Sequence, residues 1–249
     1  MLFSQKTIMG CALAASMSVC SASHAATFPF SFSGASSGGE QQNVSATVTP
    51  GAGTLDVVIH NVISNPSSIA QNISDFTVFV AGTPITGLGS SLVTPNAVSG
   101  YINVASDGTF TFVTAPTSAA WTVTNTSSSV HVDDLAGGAG TCLQASCTII
   151  GSPNQVLTEY IAADSSIAGN SAHNPFIDQN ADFLLSVAGI TASTVITNFQ
   201  WSFGTTAGNV ASANPITSPV PLPPAALLFG TALAGFGILG RRRRSNAQA

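Results

Sequence analysis

The chain has 249 residues, 45% of them hydrophobic, with five Lys/Arg, ten Asp/Glu and a formal net charge of −5. The charges are segregated. Lys6 at one end and Arg241, Arg242, Arg243 and Arg244 at the other bracket every acid, so residues 26–220 hold ten carboxylates and no lysine or arginine. Such a region repels phosphate backbones and has no cation with which to release counterions, which argues against nucleic acid as a partner and against anionic lipid headgroups.

The first 25 residues carry one positive charge at Lys6, an apolar run over 8–19 and a small-residue exit, with Ser23 at −3 and Ala25 at −1 if cleavage precedes Ala26. That layout predicts a secretory signal peptide over 1–25, the apolar run being too short to span a bilayer comfortably. A lipoprotein site at Cys20 fits less well, because Val19 stands where a small residue is wanted. Export leaves Cys142 and Cys147, in CLQASC, as the cysteines of the mature chain. An exported pair four residues apart reads as a short-loop disulfide rather than a metal site.

From residue 26 to 217, Ser, Thr, Asn and Gly separate short stretches of alternating apolar residues. The pattern predicts one all-β domain of antiparallel strands, with strands over 44–48, 55–62, 76–80, 101–105, 109–114, 121–125, 129–133, 183–188 and 194–204. So many half-buried strands need a second layer, which predicts a β-sandwich or jelly roll. In YINVASDGTFTFV a three-residue loop, Ser106-Asp107-Gly108, sets Val104 against Phe110 and Ile102 against Phe112, with Gly108 left-handed; a two-residue loop would mix polar and apolar side chains on each face. In TVITNFQWSFGT, Val195, Phe199, Trp201 and Phe203 share a predicted core face, interrupted at Thr197.

Several fragments carry candidate chemistry. GASSG, residues 34–38, has the spacing of a hydrolase nucleophile elbow around Ser36, but a loop and strand follow where that elbow needs a helix, so the stretch itself is expected to be a flexible Gly/Ser loop. His131 and Asp133, two apart on one strand, point the same way and so suit hydrogen bonding or a shared metal, yet fall short of a zinc ligand set. In FIDQNADF, Asp178, Asn180 and Asp182 alternate like the first ligands of an oxygen-rich calcium loop, although Phe183 stands where an EF-hand needs glycine. Calcium is the one cofactor these residues suggest.

The last segment is VPLPPAALLFGTALAGFGILGRRRR. Residues 222–240 are uncharged, with Thr231 their one polar side chain, and as a helix they would reach about 28 Å, close to the hydrocarbon thickness of a bilayer. Arg241, Arg242, Arg243 and Arg244 then mark the cytoplasmic side. This segment resembles the PEP-CTERM sorting signal of Gram-negative bacteria: a proline box (Val220, Pro221, Leu222, Pro223), an apolar helix and an arginine stop. In the family's namesake the third box residue is glutamate; here it is Leu222. The block over 173–205 is also similar to segments found upstream of this signal. A Gram-positive sortase signal is a poorer match, since the Thr-Gly step of its motif is missing; an ordinary permanent membrane anchor, which would keep Arg241 to Arg244 on the mature protein, stays open as an alternative.

What the resemblance implies is a route: export, transient single-pass anchoring in the inner membrane, recognition and cleavage by an exosortase, and delivery to the cell surface. Many such proteins are Ser/Thr/Asn-rich β domains associated with extracellular polysaccharide and biofilm matrix. The expectation for the mature domain is therefore a structural or adhesive component without enzymatic activity. Two alternatives stay open. A carbohydrate-binding module predicts exposed Trp121, Tyr101 or Tyr160. A secreted hydrolase predicts a cleft with two converging carboxylates or a Ser/His pair.

Overall fold

Alternation in the sequence becomes alternation in burial. Along Gln41–Pro50 every second residue is buried, from Gln42 through Val44, Ala46 and Val48 to Pro50, the period of two that an extended chain imposes. The computed structural model describes residues 25–82, 84–117, 119–136, 147–205 and 210–213, all within one unit, His24–Pro221.

The described residues form β1 (Phe28–Ala35), β2 (Gln41–Pro50), β3 (Thr54–Asn61), β4 (Ile73–Ala81), β5 (Gly87–Leu88), β6 (Leu92–Val93), β7 (Ala97–Val98), β8 (Tyr101–Val104), β9 (Phe110–Val113), β10 (Trp121–Asn125), β11 (Ser129–Asp133), β12 (Ile149–Ile150), β13 (Phe176–Asp178), β14 (Asn180–Ala188), β15 (Val195–Phe203) and β16 (Val210–Ala213). A single 3-10 turn, Ile69–Gln71, leads into β4. One sheet has the order β1-β2-β3-β14-β5, with β7 also on β14. The other runs β6-β10-β11-β4-β12-β13-β8-β9, with β15 on β4 and β16 on β15. Strand ladders are antiparallel except β12 with β13, which is parallel. The fold is all-β and sandwich-like. Among the described residues no helix is long and apolar enough to cross a membrane; the span expected over 222–240 lies outside them.

Aromatic rings join the two sheets. Phe30 on β1 lies 5.4 Å from Phe199 on β15, while Phe183 on β14 meets both Phe76 on β4 and Trp121 on β10 at 5.1 Å. Each such side chain, fully buried, contributes about 1.5–3 kcal/mol through area alone, and each ring pair about 0.5–1.5 kcal/mol more. A second, smaller cluster gathers Ile102, Val104, Ile150, Tyr160, Ile167 and Phe176 beneath β8 and β9. There the Tyr160 hydroxyl donates to the Gly151 carbonyl at 2.9 Å.

The predicted hairpin forms in the predicted register. Val104 pairs with Phe110 and Ile102 with Phe112, and Gly108 has φ +86. Glycine is required there twice over, since a Cβ would also lie 2.8 Å from the Tyr160 carbonyl oxygen.

Two expectations are corrected. Val195 does not share the core face with Phe199: it is 50% exposed and Ile196 is buried instead. The cause is a β-bulge between Ile196 and Asn198, where β15 slips one residue against β4. Thr197 is the extra residue, so the parity of everything before it inverts. The apparent interruption of the aromatic stripe was the bulge itself. The Gly/Ser stretch expected to be a loop also begins too early, because Gly34 and Ala35 end a strand not predicted at all. In β1 the rings of Phe28, Phe30 and Phe32 alternate with Ser31 and Ser33, and the turn proper is confined to 36–40.

Candidate functional site

Ser36 sits in the turn joining β1 to β2, two antiparallel strands paired from Phe28–Val48 to Ala35–Gln41. Strand–turn–strand is not the strand–turn–helix that a nucleophile elbow requires. Its hydroxyl donates to the Glu40 carboxylate and accepts from the Gly38 and Glu40 amides at 3.1 and 3.2 Å. The hydroxyl thus holds a turn closed, and its bond to Glu40 keeps that carboxyl below the usual range.

The calcium triad is divided by backbone geometry. Asp178 ends β13, whereas Asn180 and Asp182 belong to β14 in the opposite sheet. Between them Gln179 has φ +59, which ends the period-two relation on which the ligand pattern depended. Asp178 is buried and accepts from Gln179 Nε2 at 3.1 Å; burial pushes its carboxyl up despite that bond. Asn180 Nδ2 donates to the Ser99 hydroxyl at 2.9 Å. Asp182 instead approaches Asp56, a residue from β3, on the outer face of the first sheet. Burial and then the neighbouring Asp182 carboxyl push Asp56 upward. Among the described residues no three His, Cys, Asp or Glu side chains are grouped to hold a metal ion.

His131 and Asp133 do share a face of β11, and a third residue lies on β4, between that strand and β15. Cross-strand register places Asp75 opposite Asp133 on one side and Ser202 on the other. His131 Nε2 lies 3.7 Å from Asp75 Oδ1. Its imidazole is raised above 6.5, first by the close approach of the Asp75 carboxylate and then by the charge of Asp133, against the opposing effect of burial. Asp133 accepts the Leu135 amide at 2.7 Å, but burial outweighs that bond and raises it. The neighbouring Asp134, which pattern reading passed over, is 0% exposed, and neither of its carboxylate oxygens has a hydrogen-bond partner. Its N–H donates to the Ser74 carbonyl at 3.1 Å, extending the β4–β11 ladder one step. Nothing in the sequence beyond its place after Asp133 signals that environment.

The aromatic residues that a sugar platform would need are buried. Trp121 is 0%, Tyr160 1% and Tyr101 6% exposed, which removes the exposed stacking surface that the carbohydrate-binding alternative named. A cavity of about 90 Å3, lined by Ser90, Leu92, Val93, Val123, Leu184, Leu185 and Ser186, has no titratable side chain. It is well below the roughly 300–1,000 Å3 of a typical ligand pocket.

Ala25 and Ala26, either side of the expected signal cleavage, are both half-buried. Cys147 is buried and disulfide-bonded; Cys142, expected as its partner, lies outside the described residues. So do the box residues Val220, Pro221, Leu222 and Pro223 and the stop residues Arg241, Arg242, Arg243 and Arg244. Comparison of the chain with protein-family models, with curated proteins and with solved structures finds no match.

Proposed function

We propose that this chain is an exported, acidic, β-structured surface or matrix protein, carried to the cell envelope by a signal peptide and sorted by an exosortase acting on the VPLP box. In this reading the mature domain has a structural or adhesive role and no enzymatic one. The observation that carries it is the order of three parts at the C-terminus, box, uncharged 19-residue stretch and four arginines, behind a region with no other lysine or arginine. The fold supports it more generally. The largest aromatic side chains are buried in the core, and turn acids such as Asp107 and Asp164 are held by neighbouring hydroxyls and amides. Before processing, the partners are the exosortase and the membrane; afterwards, extracellular polysaccharide is the partner class that suits a surface without cations.

The test is to express the full chain in cells with and without the sorting enzyme, then to localise and weigh the product. With the enzyme, the intact mass should lose everything C-terminal to the region of Val220 and Pro223, and the protein should reach the surface. Without it, Arg241 to Arg244 should remain and the protein should stay in the membrane fraction. The same mass and location in both strains would remove the proposal.

A further inference from the structure

Asp134 is the most anomalous polar group in the described structure. A carboxyl cut off from water is normally hydrogen-bonded or paired, because transfer without a partner costs several kcal/mol and an isolated charge far more. Asp134 is fully buried with both oxygens unpartnered. It follows β11 directly, beside a cross-strand pair of carboxyls, Asp75 opposite Asp133, that are themselves only 5% and 8% exposed. Three acids are thus confined to one end of the β4–β11 seam.

We propose that this seam is a proton-operated latch: it is locked while Asp134 is protonated, and it loosens when the local acids lose their protons.

His131 and Asp133 share one face of β11, with Asp75 of β4 opposite Asp133, and Asp134, one ladder step further on, alternates with them. The charges that reach it are those of Asp133 and Asp75. β15 supplies Ser202 and Gln200 in the adjoining register positions, neither of which titrates. Residues 137–146, which follow Asp134 in the chain, include no acid, histidine, lysine or arginine. The imidazole of His131 is the one cationic group available from these strands, and its contact at 3.7 Å is with Asp75. No guanidinium or ammonium exists between residues 7 and 240 to compensate the others.

The sign of the effect follows from the directions. Asp134 is raised well above 3.8 by burial, then by the charges of Asp133 and Asp75, and Asp133 is raised by burial. His131 is raised above 6.5. For all three the folded state binds protons more tightly than the unfolded chain. The stability they contribute is complete below their ordinary values, near 3.8 for the acids and 6.5 for histidine, and is lost as pH rises through the folded values. Most proteins show the reverse on the acid side, where paired carboxylates must be protonated at a cost. An exported domain meets whatever pH surrounds the cell, so the latch would couple the firmness of this seam to the medium.

The loosening is expected at the last steps of the ladder. The Asp134 amide bond to Ser74 and the Asp133–Asp75 pairing lie where β11 ends, while β4 runs on to Ile73 and its partners Ile149 and Phe203; Val132 and Val130 continue into the apolar core and stay paired.

Two measurements on the full chain decide it. In a carboxyl 13C titration of the wild type, Asp134 should remain protonated at pH 7 while exposed Asp107 is ionised; Asp134 ionised alongside Asp107 at pH 7 would overturn the latch. In denaturant unfolding from pH 5 to pH 9, the folding constant of the wild type should fall with pH, by up to about ten-fold per pH unit for each proton released. Asp134→Asn, which keeps shape and cannot ionise, should flatten that slope. An unchanged slope in the variant overturns the device. Should the Asn variant fail to fold, the wild-type titration alone still decides whether Asp134 holds its proton at pH 7, and with it whether the latch stands.

Discussion

Replacing Phe199 with alanine tests whether the two sheets are held by their aromatic seam. Phe199 is 0% exposed, stacks on Phe76 at 5.6 Å and 12°, and lies 5.4 Å from Phe30 and 4.6 Å from Trp201. Truncating a buried Phe to Ala costs about 3–5 kcal/mol through lost transfer energy and the cavity left behind. With ring partners from both sheets, the site cannot collapse from one side only, so the upper half of that range is expected, about 4–5 kcal/mol. That corresponds to roughly a thousand-fold or more in the unfolding constant, at 1.36 kcal/mol per decade, and is a large share of the about 5–15 kcal/mol that a domain has in hand. Phe199→Leu, which retains most of the volume, should lose about a third as much. The control is Phe112→Ala: Phe112 is 64% exposed, and its removal should stay within about 1 kcal/mol. The assay is guanidinium unfolding followed by far-UV circular dichroism, because Trp201 is too close to Phe199 for fluorescence to be a neutral probe. A loss below about 1 kcal/mol for Phe199→Ala, or an equal loss for Phe112→Ala, would refute the seam.

Gly151→Ala should lower the melting temperature, because the new Cβ would lie 2.2 Å from the Ile63 carbonyl oxygen, a backbone atom already accepting the Ser152 amide at 2.8 Å. Overpacking of this kind costs about 1–3 kcal/mol, and an unchanged thermal midpoint would contradict the close approach. Acrylamide should quench the native fluorescence weakly, since Trp121 and Trp201 are both 0% exposed. Quenching as efficient before unfolding as after it would show that the tryptophans are not in the core.

Strands with strict period-two burial were legible from the chain alone. β10 and β11 have the predicted bounds, 121–125 and 129–133, and the β8–β9 register followed from side-chain parity and a left-handed glycine. What escaped has a physical reason in each case. β1 was hidden because its phenylalanines adjoin both the expected signal exit and a Gly/Ser run, two features that mask a strand when read locally. Two-residue strands such as β5, β6 and β7 exist only because β14 and β10 lie beside them, and no local pattern encodes a distant partner. Val195 was misplaced because a bulge is a decision made by two strands together, and Thr197 was visible only as a flaw in the stripe. The candidate acids followed the same rule. Asp178, Asn180 and Asp182 formed a pattern in one dimension from which a single left-handed residue, Gln179, cut Asp178 away.

The absence of lysine and arginine between residues 7 and 240 leaves the fold two ways to accommodate a carboxylate, and both are in use. In turns, the chain supplies its own donors: Thr109 N–H and Oγ1 donate to Asp107 at 3.1 and 2.7 Å, and Ser36 donates to Glu40. Those carboxyls are held below their ordinary values by the hydrogen bonds, and Asp-x-Thr spacing announces the arrangement in the sequence. In and beside strands most backbone amides are committed to the ladders, and the Leu135 amide that Asp133 accepts does not outweigh its burial. There Asp56, Asp133 and Asp134 are raised, each chiefly by burial and each with another acid nearby. A carboxyl that can neither be paired nor hydrated keeps its proton, and in doing so behaves as a polar uncharged side chain. The acids whose carboxyls shift therefore divide by place: Glu40 and Asp107, in turns, are held down by hydrogen bonds, while Asp56, Asp133, Asp134 and Asp178, in or beside strands, are pushed up by burial.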